Sequence, residues 1–199
     1  MLKGGIFMDE FIEKIYEIDH AALLYIQENL RADFLTPIMK TASLFVNIGI
    51  LWIVLGLILI IRKKTRMIGI MTLTSLALCI AVNNIFIKHL FARARPFDTY
   101  KDLIPLIKKP RDYSFASGHT TASFASAGIL VRFLQKPYAA AVVVFSVLVA
   151  FSRLYLGVHY PTDVLCGILI GITGSTLVYL LFKRKFHDLD KHKLTAHVE

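Results

Sequence analysis

The sequence predicts an all-α polytopic membrane helix bundle of about five spanning helices, preceded by an N-terminal amphipathic helix. Three observations carry that reading. Apolar residues make up 56% of the chain and its mean hydropathy is +0.61, above the usual share for a soluble domain. The excess is gathered into runs of the length that a bilayer requires, about 20 residues. Clusters of Lys and Arg follow every second run, as cytoplasmic loops do. At 199 residues the chain has room for a single domain, with 1–35 as the amphipathic segment, 36–183 as the helix bundle and 184–199 as a cytoplasmic tail.

Taken in order, Asp9–Leu30 comes first. Phe11, Ile12, Ile15, Ile18, Ala22 and Ile26 recur at helical spacing, with Glu13, Lys14, Glu17 and Asp19 between them. Such a helix lies in the interface or covers the bundle, because its charges make crossing expensive. Thr41–Ile61 and Met67–Ile87 are uncharged apolar runs. Ser114–Val131 carries His119 as its one titratable group, Pro137–Val158 is apolar up to Arg153, and Val164–Phe182 completes the set. The N-terminus lacks a basic stretch followed by a short apolar core and a cleavage site, so the first span is expected to direct insertion. Gly167, Gly171 and Ser175 stand four apart, the spacing of close helix packing within the bundle or between chains.

Charge fixes the orientation. Arg62, Lys63, Lys64 and Arg66 follow the first span, Arg132 and Lys136 the third, and Lys183, Arg184 and Lys185 the fifth. Alternating spans put these clusters on one side, expected to be the cytoplasm. The segment His89–Tyr113 then falls outside, yet it holds Arg93, Arg95, Lys101, Lys108, Lys109 and Arg111. A net charge of +9 suits anionic headgroups and phosphate-bearing substrates. Nucleic acid is not expected as a partner, because the cations lie in short loops without a continuous stripe or binding motif. Cys79 and Cys166 sit inside apolar runs and are read as inert buried thiols.

The polar residues that chemistry needs gather at one end. Lys88 ends the second span and Arg95-Pro96 follows; Ser117-Gly118-His119 opens the third; Ser152-Arg153 closes the fourth; His159 and Asp163 open the fifth. Lys88, Arg95 and Arg153 offer converging cations, and the Arg fork matches phosphate oxygens. Ser117, Gly118 and His119 begin a helix whose free N–H groups favour an anion, with Gly118 allowing close approach. The spacing of His159 and Asp163 brings the carboxylate to one imidazole nitrogen and frees the other for attack. His119 is then the acid for the leaving oxygen. No cluster of Asp, Glu or His stands at metal-ligand spacing, so neither a metal nor another cofactor is expected. Arg93 is read as solvated or headgroup-facing. Asn83 and Asn84, one turn before Lys88, are read either as its support or as inter-helix glue.

Lys88-x6-Arg95-Pro96, Ser117-Gly118-His119 and Ser152-Arg153-x5-His159-x3-Asp163 resemble the three signature motifs of the type 2 phosphatidic acid phosphatase superfamily. The resemblance covers about Ile85–Asp163. It implies that Lys88, Arg95, Ser117, Gly118 and Arg153 bind phosphate, that His119 is the acid, that His159 is the nucleophile and that Asp163 orients it. Two departures stand out. Ala116 occupies the place of the usual proline in the second motif, and the first of six usual spans is replaced by the amphipathic segment. The expected activity is metal-independent hydrolysis of a lipid phosphate through a phospho-histidine, at the external face of the cell membrane. Small size and short external loops resemble bacterial undecaprenyl-diphosphatases of this superfamily; phosphatidylglycerophosphate and phosphatidic acid present the same group. A non-catalytic transporter or scaffold on the same fold is the alternative from another class. The superfamily also contains vanadium haloperoxidases, but those are soluble, and here vanadate is expected as an inhibitor.

Overall fold

The computed structural model describes residues 3–185, so the expected tail lies outside the described residues from 186 onward. All regular elements among the described residues are helical. Helix α1 (Lys3–Asn29) lies across one end of the bundle. Its Asp19 meets Thr162, its Gln27 meets Asp102, and Arg31, just beyond it, meets Tyr155. Asp19 and Gln27 stand about 12 Å apart along the helix axis at 1.5 Å per residue, yet the partners of all three residues belong to the same end. A helix running down the bundle would have spread them in depth. The covering helix expected from the sequence is therefore present, but its inward face differs. Asp19 is only 1% exposed, beside Leu23 and Ile26, while Phe11 (55%), Ile18 (60%) and Tyr25 (61%) face outward. Asp19 turns inward because a cation waits there, as the site geometry shows below.

The expected first span is broken in two. Helices α2 (Leu35–Phe45) and α3 (Ile50–Ile61) meet at 51° across a 3₁₀ turn, Asn47–Gly49. Gly49 adopts φ +73°, a left-handed backbone that glycine takes without steric cost. Helix α4 (Arg66–Ala81) passes into a π-helical turn, Val82–Ile87, and then α5 (Lys88–Phe91). A short α6 (Pro96–Thr99) follows, then a long loop. The central helix is α7 (Gly118–Leu130), packed against α9 (Pro161–Lys185), α4 and α8 (Lys136–Tyr155).

Among the described residues, three stretches are long and apolar enough to cross a membrane: Arg66–Thr99, Lys136–Tyr155 and Pro161–Arg184. The bent α2–α3 pair makes a fourth if taken as one span. Helix α7 has 13 residues, about 20 Å, short of the roughly 30 Å hydrocarbon core. The expected run Ser114–Val131 was longer, but Ser114–Ser117 approach the helix as loop.

Small residues set the distance between α7 and α9. A Cβ on Gly171 would stand 2.7 Å from the Ala125 nitrogen, and one on Gly167 would stand 2.9 Å from the Ser117 carbonyl oxygen. One turn further, Ser175 packs on Gly128 in the same way. The sequence-expected packing stripe is thus the α7–α9 seam, with backbones in near contact. Around it lies a core of Trp52, Met71, Ile129, Val149 and Val178. A second cluster under α1 joins Ile26, Met39, Tyr155, Leu156 and Val158. Both cysteines are free; Cys79 is buried beside Gly174, as expected, whereas Cys166 is only half-buried.

Candidate active site

Every chain segment expected to contribute chemistry arrives at the α1 end. Lys88, Arg95, Gly118, His119, Arg153 and His159 line one pocket of about 590 Å³. Helix α5 delivers Lys88, the N-cap of α6 delivers Arg95, the first turn of α7 delivers Gly118 and His119, and the last turn of α8 delivers Arg153. Gly157, with φ +70°, turns the chain after α8 so that His159 and Pro161 re-enter the bundle.

His159 is buried, and its ring is held from both sides. Nδ1 lies 3.4 Å from Asp163 Oδ2, and Nε2 lies 3.3 Å from Arg95 Nη1. Asp163 Oδ2 accepts the Ser114 hydroxyl and the Tyr160 N–H (2.9 Å) as well. A carboxylate facing Nδ1 keeps the proton there, which leaves the Nε2 lone pair facing the Arg95 guanidinium on the pocket wall. Burial lowers the imidazole pKa, and the Arg95 and Arg153 charges add to it; the Asp163 hydrogen bond opposes but does not cancel them. The ring is therefore neutral at neutral pH, the form a nucleophile requires.

The cations are arranged around that nitrogen. Arg153 is buried and donates to Ser43 of α2, and its Nε has no protein partner. Buried guanidinium N–H groups without partners are costly unless a ligand completes them. Arg95 donates to the Val158 carbonyl (2.6 Å), to the Asp112 carbonyl (2.8 Å) and to the Asp112 carboxylate (2.7 Å). Lys88 donates to the other Asp112 carboxylate oxygen. Asp112 thus bridges two cations expected to hold phosphate, with its own two oxygens in a phosphate-like position. Partial burial works against its ionisation, but the Lys88 hydrogen bond and the Arg95 and Lys88 charges hold its carboxyl below the usual carboxylate range.

Gly118 lines the pocket, and a Cβ there would meet only Asn84 Oδ1 at 3.7 Å and Asn83 Nδ2 at 3.8 Å. The fold does not demand glycine at this position, so the space it leaves belongs to the pocket. Ser117 stands at the N-cap of α7 but makes no side-chain cap bond. Its N–H donates to the Asp163 carbonyl (3.1 Å) and its hydroxyl accepts from Thr120 (3.0 Å). The structure therefore uses Ser117 to join α7 to α9 and does not place it on the pocket wall.

Sequence reasoning missed four contributors and misread one. Asp112, Ser43, Ser114 and Asp19 carried no motif signal. Arg93, read as solvated, is 9% exposed and bonds Asp163 Oδ1 (2.8 Å), Thr162 Oγ1 (2.7 Å) and Asp19 Oδ2 (2.7 Å). Its neighbours are carboxylates brought in from α1 and α9, which sequence spacing cannot reveal. Asn83 donates to the Ala116 carbonyl (3.1 Å), so it ties the π-helical turn after α4 to the loop before α7. This favours the inter-helix reading over support of Lys88. The basic segment is partly explained: Arg93 and Arg95 are paired internally, Lys109 lies 5.0 Å over the Phe97 ring, and Lys108 lines the pocket.

The family model of the PAP2 superfamily matches residues 68–187. An undecaprenyl-diphosphatase of Sulfolobus acidocaldarius is 38% identical over 122 residues, 60% of this chain and 58% of that relative. This chain therefore spans less than two thirds of that relative's length. A lipid A 4'-phosphatase of Porphyromonas gingivalis is 30% identical over 79% of this chain and 75% of its own. Among solved structures, the transmembrane PAP2 type phosphatidylglycerolphosphate phosphatase from Bacillus subtilis superposes with a TM-score of 0.72. It shows 26% identity, covering 87% of this chain and 88% of that one.

Proposed function

The chain belongs to the PAP2 superfamily, and on that premise we propose that it is an integral membrane lipid phosphatase working through a phospho-histidine. The observation that carries the proposal is the single pocket lined by Lys88, Arg95, Arg153, Gly118, His119 and His159, where Asp163 faces Nδ1 of His159 and the Arg95 guanidinium faces its Nε2.

The substrate phosphate displaces the Asp112 carboxylate from Lys88 and Arg95. Its oxygens take the released donors, the unpartnered Arg153 N–H and the free N–H groups of the first α7 turn, which also favours negative charge. Nε2 of His159 attacks phosphorus, the bond to the leaving oxygen breaks, and His119 supplies that oxygen with a proton. Asp163 holds the Nδ1 proton and stabilises the positive charge that forms on the ring. Water, deprotonated by His119, then cleaves the P–N bond and returns His159 to its starting state.

Five spans complete the proposal, with α2–α3 as one and the short α7 as the centre. The turns after α3 and α7, and the end of α9, carry Arg62–Arg66, Arg132 with Lys136, and Lys183–Lys185, the cytoplasmic signature. The pocket end then faces outward. For the substrate, undecaprenyl diphosphate is favoured by the Sulfolobus relative.

The test is phosphate release by the purified protein in detergent with excess EDTA. Undecaprenyl diphosphate, phosphatidylglycerophosphate, phosphatidic acid and lipid A are compared. EDTA-resistant release with the highest kcat/KM on undecaprenyl diphosphate is expected. A higher kcat/KM on another lipid overturns the substrate assignment, and no release from any of them overturns the enzyme reading.

The displacement of Asp112 makes a separate prediction. Asp112→Asn removes the internal carboxylate that competes for Lys88 and Arg95, so orthovanadate should inhibit at about tenfold lower concentration. That ratio corresponds to about 1.4 kcal/mol, within the range of one charge-assisted hydrogen bond. An unchanged inhibition constant would mean that Asp112 leaves the anion site alone.

A further inference from the structure

From the buried charge network behind His159, we infer that Asp19 and Arg93 are positioning residues for the His159–Asp163 pair, so that α1 is a working part of the active site. The inference rests on the phosphatase reading above and extends the site to a helix outside all three motifs.

Asp163 has two oxygens with separate duties. Oδ2 faces His159, Ser114 and the Tyr160 N–H, while Oδ1 accepts from Arg93 Nη1 at 2.8 Å. The Arg93 bond therefore fixes the rotation of the carboxylate that aims the imidazole. Arg93 is itself fixed. Nη1 also donates to Thr162 Oγ1, Nη2 donates to Asp19 Oδ2, and the guanidinium carbon lies 3.8 Å from the Tyr160 ring centroid and 4.6 Å from that of Tyr16. Tyr16 and Asp19 belong to α1.

Asp19 reaches further than a single ion pair. Its Oδ1 accepts the Thr162 N–H at 3.0 Å and its Oδ2 accepts the Thr162 hydroxyl. Thr162 stands in the first turn of α9, one residue before Asp163. An N-terminal helix thus supplies a carboxylate to the open N–H of the helix that carries the orienting acid, the favourable sign for that helix end. Two carboxylates share one guanidinium, and all three groups are nearly out of solvent. A charge triad of this kind costs desolvation and is weak evidence for stability alone. Its geometric consequence is plain: with Asp19 removed, Arg93 keeps Asp163, Thr162 and the two tyrosine rings but loses the charged partner that fixes Nη2.

The measurement is steady-state and single-turnover kinetics of the full chain in lipid-containing micelles, with the melting temperature of each variant recorded. Asp19→Asn is nearly isosteric, and it should lower kcat about 10- to 100-fold with KM changed less than about threefold. Displacements of about an ångström at a reacting group have that effect. The single-turnover rate of phosphoenzyme formation should fall by the same factor. Arg93→Lys keeps the charge but loses the fork that joins Asp19, Thr162 and Asp163, so it should not restore the wild-type kcat. It serves as the second arm if Asp19→Asn does not fold.

Wild-type kcat in a folded Asp19→Asn or Arg93→Lys variant overturns the positioning role while the phosphatase reading stands. A rise in KM with unchanged kcat does the same, since the network would then serve substrate binding. Absence of phosphate release from the wild type would overturn both.

Discussion

Replacement of His159 by alanine should abolish phosphate release, lowering kcat/KM by at least about 10⁴-fold, because on the proposed mechanism it removes the atom to which phosphorus bonds. Nothing else in the pocket can take that role with the same geometry. His119 lies on the wall, but the Asp163 carboxylate is directed at His159 Nδ1, at 3.4 Å. The wild type, quenched during turnover, should yield an alkali-stable, acid-labile phosphoenzyme that the variant lacks. Phosphate release persisting at more than about one-hundredth of the wild-type rate would sink the covalent mechanism. A pH profile gives an independent check. Burial lowers the pKa of His159, so its reactive neutral form persists on acidification and is lost only as pH falls through that lowered value. The acid limb of kcat/KM should therefore lie below about pH 6, the lower edge of the ordinary imidazole range. The variant should retain the wild-type melting temperature to within a few degrees. A collapsed fold would show the loss to be structural.

The second large effect concerns the seam. Gly171→Leu should prevent recovery of folded protein, or lower its melting temperature by about 10 °C or more. The first added carbon would already meet the Ala125 nitrogen at 2.7 Å and the Phe124 carbonyl carbon at 2.9 Å. Backbone atoms in a helix cannot swing away as a side-chain tip does, so α7 and α9 must separate. Overpacking typically costs about 1–3 kcal/mol and more where the neighbours are rigid. Separation also reaches the chemistry, since α7 carries Gly118 and His119 while α9 carries Asp163. Gly171→Ala should show a smaller loss in the same direction. Thermal melts in one detergent, compared with binding of vanadate, read both consequences. A Gly171→Leu protein with an unaltered melt would mean that the helices do not approach as closely as described.

Much of this protein is written locally in its sequence. Uncharged runs of bilayer length, a basic cluster after every second run and helical spacing in the first thirty residues determined that it is a helical membrane bundle with a covering helix. The three motifs marked the residues of the proposed site, and the structure brings Lys88, Arg95, Gly118, His119, Arg153 and His159 into one pocket. Alternation alone foretold that they share an end. The stripe Gly167, Gly171, Ser175 was legible for the same reason: residue size and helical period are local properties.

Only the tertiary structure decided the rest, because the deciding contacts join residues far apart in the chain. Asp112 meets Lys88 across 24 positions, Arg93 meets Asp19 across 74, and Arg153 meets Ser43 across 110. No period or short motif encodes such pairs. Asp19 looked like one of several acids on a polar face, and Arg93 like one cation among many in a basic loop. Burial made them partners, because a charge removed from water must find its opposite. The break at Asn47–Gly49 and the late start of α7 at Gly118 were hidden for a related reason. Hydropathy measures how apolar a run is and carries no record of the path its backbone takes.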